Sequence, residues 1–82
     1  MYRILLTKRA IKDLEKLNEE AKLRIKEKFN LLLNDPISSS KKLSSSLIGT
    51  YRLRVGDYRV IFDIVNDKVV ILRIGHRKDI YK

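Results

Sequence analysis

The chain has 82 residues, no cysteine and a formal net charge of +9. A chain this short forms one hydrophobic core, so we expect a single domain over residues 1–82. The absence of cysteine excludes a disulfide framework, a thiol nucleophile and a cysteine-ligated metal site. No apolar run approaches the roughly 20 residues that cross a bilayer, and the first residues show no secretion signal. The sequence therefore predicts a cytoplasmic protein with no membrane contact.

The first part of the chain is patterned as a short strand followed by a helix. Residues 2–6 are typical of a strand, and Thr7 is suited to cap a helix over about residues 8–17. Asp13 and the charged residues around it are expected to face solvent. The apolar stripe of this helix is expected to consist of Ile11, Leu14 and Leu17.

A second helix follows after only a residue or two, so the two helices should form a helical hairpin. Asn18 is suited to cap it, and Glu19 and Glu20 favour the positive end of the helix dipole. The helix ends at Asp35, because Pro36 disfavours a helical conformation in the residue before it. Its apolar residues recur at steps of three or four and are Ala21, Ile25, Phe29, Leu32 and Leu33.

The second half of the chain changes from loop to strand patterning. The serine-rich residues 38–46 are interpreted as a surface loop that Leu43 and Leu47 hold down. Residues 51–55, 58–64 and 69–74 then alternate or run apolar, with turns at residues 56–57 and 66–67. The predicted fold class is α+β, in the order β-α-α-β-β-β, with the helical hairpin packed on a twisted, mainly antiparallel four-stranded sheet.

Alternation along these strands places arginines on the sheet face away from the helices. Arg52 and Arg54 share one face, and Arg59 has the parity to join them. Arg73 and Arg77 come from the end of the last strand and its exit. Guanidinium groups match phosphate geometry, and a small basic protein favours nucleic acid or an acidic protein as partner. The alternative is that these arginines are ordinary solvent-exposed residues of a sheet face and bind nothing.

Few residues could carry catalysis. His76 is the single histidine; a lone histidine is more often structural, but this one lies in a strongly basic stretch. Tyr51 and Tyr58 could stack on bases, although a core role is favoured for both. The carboxylates show no metal-binding spacing and no phosphate-binding glycine loop is present, so no metal and no cofactor is predicted. A metal-free cleavage by the RNA 2′-hydroxyl, aided by fixed cations, fits this set.

Three segments carry a resemblance to a known family. They are Leu47-x-Gly49, residues 51–62 (YRLRVGDYRVIF) and residues 75–81 (GHRKDIY). The chain resembles the RelE/ParE toxin superfamily over essentially its whole length, and within it most resembles RelE. The resemblance implies the toxin of a type II toxin–antitoxin system. Such a toxin cuts mRNA in the ribosomal A site, where it also contacts ribosomal RNA. It is neutralised by a RelB-type antitoxin and can join higher-order toxin–antitoxin complexes.

The resemblance also assigns catalytic roles. The phosphate-stabilising arginine of the middle strand falls on Arg59, and the arginine after the last strand falls on Arg77. The tyrosine that stacks on the substrate base or assists proton transfer falls on Tyr81. His76, within the Gly-His-Arg form of the motif, is the candidate for proton transfer.

The predicted RNA-binding residues are basic. The family's two positions along the RNA path fall on Arg52 and Arg54, and Arg73 and Lys78 complete the set. The well-studied RelE type has lysines at the first two positions, one of them proposed as the general base. Arginine is always protonated and makes a poor base, which shifts that role toward His76.

Two other functions share the same fold and charge. A ParE-like toxin would inhibit DNA gyrase by binding it and would not need the His, Arg and Tyr cluster. A catalytically inactive relative would be a basic binding module. Cleavage of ribosome-bound mRNA would distinguish a RelE-type toxin from the gyrase inhibitor and from the inactive relative.

Overall fold

A computed structural model describes residues 1–38, 40–42 and 51–80 of the chain. Two helices pack on one face of a sheet, which confirms the predicted α+β fold. The helices are α1 (Lys8–Glu15) and α2 (Glu19–Asn34). The strands are β1 (Arg3–Leu6), β2 (Lys41–Lys42), β3 (Tyr51–Val55), β4 (Tyr58–Val65) and β5 (Lys68–His76). Neither α1 nor α2 is long and apolar enough to span a membrane.

The strand order β1-β5-β4-β3-β2 places the first strand beside the last. β1 runs parallel to β5, while β2 with β3, β3 with β4 and β4 with β5 are antiparallel. The pairing of β1 ends where Leu6 meets Ile71, so the last part of β5 extends beyond it. A register shift in the β4–β5 pairing leaves Leu72 as an extra residue, because Ile61 pairs with Arg73 but Phe62 pairs with Ile71. This bulge reverses the alternation of β5 before its end.

Both predicted N-caps are present. The Thr7 hydroxyl accepts a hydrogen bond from the Ala10 N–H at 3.1 Å and donates to the Leu72 carbonyl at 3.2 Å. The Asn18 side-chain oxygen accepts from the Ala21 N–H at 2.8 Å. Thr7 therefore both starts α1 and ties it to β5 at the bulge.

The core lies between the helices and the sheet face that they cover. Phe62 is its largest fully buried side chain. The buried members of the core cluster are Ala10, Ile25, Leu32, Leu53, Val55, Val60, Phe62, Val69, Ile71 and Ile74. The predicted stripe of α2 is confirmed, since Ala21, Ile25 and Leu32 are buried and Phe29 and Leu33 are half-buried. The opposite sheet face, called the open face below, carries the intervening residues of each strand.

The predicted stripe of α1 is confirmed at Leu14 and Leu17, which pack partly buried against the core, and is wrong at Ile11. Ile11 is 46% exposed, whereas Ala10 is fully buried and Asp13 is only 9% exposed. Ala10, Asp13 and Leu14 share one face of the helix, and Ile11 is turned about 100° away from Ala10. The small Ala10 side chain lets α1 approach β5 closely, and Asp13, expected in solvent, then points at the sheet. The helix is also shorter than predicted, because Lys16 already forms its C-cap.

In the described part of the serine-rich connection, residues 38 and 40–42, side-chain hydrogen bonds and a short strand replace the expected surface loop. The side chain and the backbone N–H of Ser38 donate hydrogen bonds to Asp35 and lower the pKa of its carboxyl. The Ser40 hydroxyl donates to the Pro36 carbonyl at 2.6 Å. β2 follows at once and adds a short strand to the four that were predicted. Leu43 and Leu47, expected to hold the loop down, lie outside the described residues.

Candidate functional site

The turn between β3 and β4 is formed by Gly56 and Asp57. Gly56 has φ +60°, a left-handed conformation that glycine adopts without steric cost. A Cβ atom added to Gly56 would lie 3.1 Å from the guanidinium Nη2 of Arg24. Helix α2 thus places a cation directly against this turn, where a larger side chain would displace it.

Arg59 is held by the carbonyls of the same turn. Its Nη1 donates to the Gly56 carbonyl at 2.9 Å and to the Tyr58 carbonyl at 2.8 Å. The residue is only 5% exposed. Arg54 lies directly across from Arg59 in the β3–β4 register. Like charges placed opposite each other destabilise a sheet, so a bound anion would relieve this pair.

Arg77 reaches the turn from the other direction. Its backbone N–H donates to the Asp57 carbonyl at 2.8 Å. Its side chain is 56% exposed, and its Nε lies 3.8 Å from the Asp57 carboxylate, an exposed ion pair that contributes little stability. Adjacent carbonyls therefore hold the Arg59 side chain and the Arg77 backbone, the two arginines to which the family resemblance assigned catalytic roles. We call Arg54, Arg59 and Arg77 the arginine cluster.

A basic groove extends the arginine cluster along the open face. It has a volume of about 260 Å³ and is lined by Ser40, Lys41, Arg52 and Arg54. Lys41 is the register partner of Arg52. The two predicted RNA-path arginines thus share a groove with a lysine that the sequence analysis missed. Nothing in the pattern of a serine-rich segment indicates that one of its lysines pairs with β3.

Arg73 has a structural partner. It lies in the same cross-strand row as Arg52 and Ile61, but its Nε donates to the Asp13 carboxylate at 2.8 Å. The same carboxylate oxygen accepts from the Ile74 N–H at 3.0 Å. Asp13 thereby satisfies the edge of β5 beyond the end of β1 and ties α1 to it. An RNA-binding role for Arg73 stays a prediction. To bind RNA, Arg73 would have to contact a phosphate while it keeps its ion pair with Asp13 or after it gives that pair up.

His76 occupies the other side of the sheet from Arg59. It pairs with Tyr58, while Arg59 pairs with Gly75, so alternation points His76 and Arg59 to opposite faces. The His76 and Tyr58 rings meet edge to face, with centroids 5.7 Å apart and planes at 79°. The His76 side chain lines a cleft of about 360 Å³, called the His76 cleft. Its walls are Asp13, Lys16, Leu17, Tyr58, Arg73, Ile74, Gly75, His76, Asp79 and Ile80.

The remaining predicted residues divide between surface, core and the undescribed part. Lys78 is exposed, as an RNA-binding role would require. Tyr51 packs against the core and stacks on Phe62 with ring centroids 5.4 Å apart, and Tyr58 also packs there, which agrees with the structural role favoured for both. Tyr81 lies outside the described residues. Within residues 1–38, 40–42 and 51–80, no group of three His, Asp or Glu side chains could hold a metal ion.

The fold is that of a family of toxins. A model of the ParE toxin family of type II toxin–antitoxin systems matches residues 4–81. Toxin RelG of Mycobacterium tuberculosis is 37% identical over 84 residues, which cover 99% of this chain and 97% of that protein. The chain belongs to the RelE/ParE toxin superfamily of type II toxin–antitoxin systems and is of the RelE type.

Solved structures agree with this assignment. The chain is similar to one in the toxin–antitoxin complex RelBE2 of Mycobacterium tuberculosis, with a TM-score of 0.84 and 35% identity over 93% of this chain and 98% of that one. It is also similar to a chain of the RelE–RelB complex of Pyrococcus horikoshii. There the TM-score is 0.78 and the identity 28%, over 95% of this chain and 97% of that one.

Removal of the Asp13 charge tests the link between α1 and β5. We expect Asp13→Asn to lower the free energy of unfolding by about 1–3 kcal/mol, because it weakens a largely buried, charge-assisted hydrogen bond to Arg73. Asp67→Asn is the matched control, since the Asp67 side chain is 59% exposed in a 3.8 Å ion pair; a change below about 1 kcal/mol is expected there. Urea unfolding of both variants gives the comparison, and equal losses would contradict the anchoring role of Asp13.

Proposed function

We propose that this chain is a ribosome-dependent endoribonuclease that cuts mRNA in the ribosomal A site. The observation that carries the proposal is that adjacent carbonyls of one turn hold the Arg59 guanidinium and the Arg77 backbone N–H, with Arg54 directly opposite Arg59. The Arg59 guanidinium is fixed before substrate arrives, so it needs no reorganisation when charge develops on a phosphate. Translation places the substrate in the cytoplasm.

The chemistry follows from the substrate and from fixed cations. The 2′-hydroxyl oxygen of the RNA attacks the adjacent phosphorus, so that the O2′–P bond forms and the P–O5′ bond breaks. The products are a 2′,3′-cyclic phosphate and a 5′-hydroxyl. Arg59 and Arg77 would stabilise the negative charge on the non-bridging oxygens, often the largest contribution to catalysis. No metal or cofactor enters this scheme.

Proton transfer is the second requirement of the reaction. The 2′-hydroxyl loses a proton and the 5′-oxygen gains one, and arginine does neither well at neutral pH. His76 is the candidate that the sequence offers, with Tyr81 as the group that stacks on the base or assists. The Nδ1 of His76 accepts a hydrogen bond from the Lys78 N–H at 3.1 Å, so Nε2 carries the proton of the neutral ring and would donate it to the 5′-oxygen.

The groove beside β2 is the proposed path of the RNA backbone. Lys41, Arg52 and Arg54 bring three cations to it, and cations that contact phosphates bind in a strongly salt-dependent way. Lys78 extends the basic surface at the sheet end, where contacts with ribosomal RNA would also fall.

Mapping of 5′ ends on an mRNA held in a programmed ribosome tests the proposal. Wild-type protein freed of antitoxin should cut within the A-site codon. Arg77→Ala should reduce the cleavage rate by about 100- to 1000-fold, as expected for the loss of one donor to the developing charge. Arg3→Ala is the matched control, because Arg3 is an exposed arginine on β1, and it should cut at the wild-type rate.

A different result would redirect the assignment. Folded wild-type protein that leaves the mRNA intact would contradict the endonuclease proposal. The match to the ParE toxin family keeps gyrase inhibition as the second candidate. A supercoiling assay with purified gyrase then decides whether the chain inhibits that enzyme or is an inactive binding relative.

The proposed partner is an antitoxin of the RelB type. The net charge of +9 favours an acidic segment laid over the basic surface. The similar structures from Mycobacterium tuberculosis and Pyrococcus horikoshii are themselves complexes of a toxin with an antitoxin. A higher-order assembly of such pairs is the expected form in the cell.

Co-expression with the neighbouring open reading frame tests the partner. A small protein with an acidic segment should co-purify with the toxin at low salt and relieve its arrest of growth. The complex should resist salt better than RNA binding does, because apolar contacts are screened less than phosphate contacts. Failure of any neighbour-encoded protein to co-purify would count against an antitoxin encoded beside this chain.

A further inference from the structure

The exit from β5 is organised around His76. The N–H of Lys78 donates to the His76 Nδ1 at 3.1 Å. The N–H groups of Asp79 and Ile80 donate to the His76 carbonyl at 2.8 and 2.9 Å. Three successive amides thus converge on one residue, two on its backbone and one on its ring.

The far end of this turn is pinned by packing. Ile80 is only 1% exposed, and a Cβ added to Gly75 would lie 3.3 Å from its Cδ1. Gly75 therefore leaves the space that Ile80 fills. Arg77 lies between the two fixed points, His76 and Ile80, and its own N–H is bound to the Asp57 carbonyl.

The ring of His76 is held in the orientation that this turn needs. Tyr58 meets it edge to face, and Nδ1 faces the Lys78 N–H. A neutral histidine whose Nδ1 accepts a hydrogen bond carries its proton on Nε2. Protonation of the ring would remove the acceptor and release the Lys78 amide.

We propose that His76 is a positioning residue: its Nδ1 orders the turn from Arg77 to Ile80 and so holds the Arg77 backbone where its side chain reaches the arginine cluster. The effect of His76 on cleavage rests on the proposed function. Its effect on the turn rests on the hydrogen bonds alone. Positioning of the turn gives the single histidine a role on the face opposite Arg59, where direct contact with a phosphate held by Arg59 is hard to achieve.

Two substitutions at His76 separate positioning from proton transfer. His76→Asn keeps an acceptor, since its Oδ1 stands at the same distance along the side chain as Nδ1 and can accept from the N–H two residues on, as in an Asx turn. His76→Gln places its polar atoms near the Nε2 position and loses that acceptor. Neither variant can transfer a proton at neutral pH.

The expected result is that His76→Asn cuts ribosome-bound mRNA at least about tenfold faster than His76→Gln, because small misplacement of a catalytic group costs up to about 100-fold. The hydrogen-exchange protection of the Lys78 amide should follow the same order. The other charged groups of the His76 cleft are the same in both variants, and they are Asp13, Lys16, Arg73 and Asp79.

Opposite results would overturn the inference. Equal and severe loss in both variants, with the Lys78 amide protected in His76→Asn, would assign proton transfer to His76. An unprotected Lys78 amide in the wild-type protein would show that the ring does not order the turn. If wild-type protein does not cut mRNA at all, the proposed function fails, and the amide protection alone decides whether His76 orders the turn.

Discussion

The two-residue turn between β3 and β4 is the constraint on which the candidate site depends. Gly56 holds a left-handed conformation there, and this directs the carbonyls of Gly56 and Asp57 toward the two arginines that approach from different strands. The turn thus fixes the Arg59 guanidinium and the point at which the Arg77 side chain leaves the backbone. A longer or more flexible connection would leave both free to sample many positions, and the entropy of ordering them would oppose catalysis.

The rest of the fold makes this turn rigid. β5 lies between β1 and β4, so the first and last described strands stabilise each other. Beyond the end of β1, residues of α1 and its cap hydrogen-bond to the backbone of β5. Thr7 binds at Leu72 and Asp13 binds at Ile74. The strand that delivers Arg77 is therefore supported to its end. Removal of the Asp13 carboxylate would leave the Ile74 N–H without this charged acceptor, which is costly in a buried position.

The bulge in β5 divides the chemistry between the two faces. It turns Arg73 and Gly75 to the open face and His76 to the covered face. The arginine cluster and His76 then meet only at the end of the sheet, around the exit from β5. This arrangement suits a division of labour in which arginines act on the phosphate and His76 holds the segment that carries one of them.

Much of this could be predicted from the sequence, and the exceptions have physical causes. The caps Thr7 and Asn18, both turns and the shared face of Arg52, Arg54 and Arg59 follow from local rules that tertiary packing did not override. The buried face of α1 was predicted only in part, at Leu14 and Leu17. Ile11 and Asp13 were misassigned, because the stripe was chosen by apolarity while Asp13 is buried through its hydrogen bonds. The bulge in β5 and the strand β2 were not predicted, because both depend on pairing between distant segments. The local periodicity of a sequence carries no information on such pairing.

The most direct test of the account is whether RNA contacts the arginine cluster. A short RNA blocked at its 2′-hydroxyls would be titrated into isotope-labelled wild-type protein at low salt, and backbone amide shifts followed by NMR, which detects even millimolar binding. If RNA binds at the arginine cluster, the largest changes should fall at Arg54, Asp57 and Arg77 and should fade as salt is raised. Changes concentrated instead on exposed lysines of the helices, such as Lys12 and Lys26, or no changes at all, would contradict it.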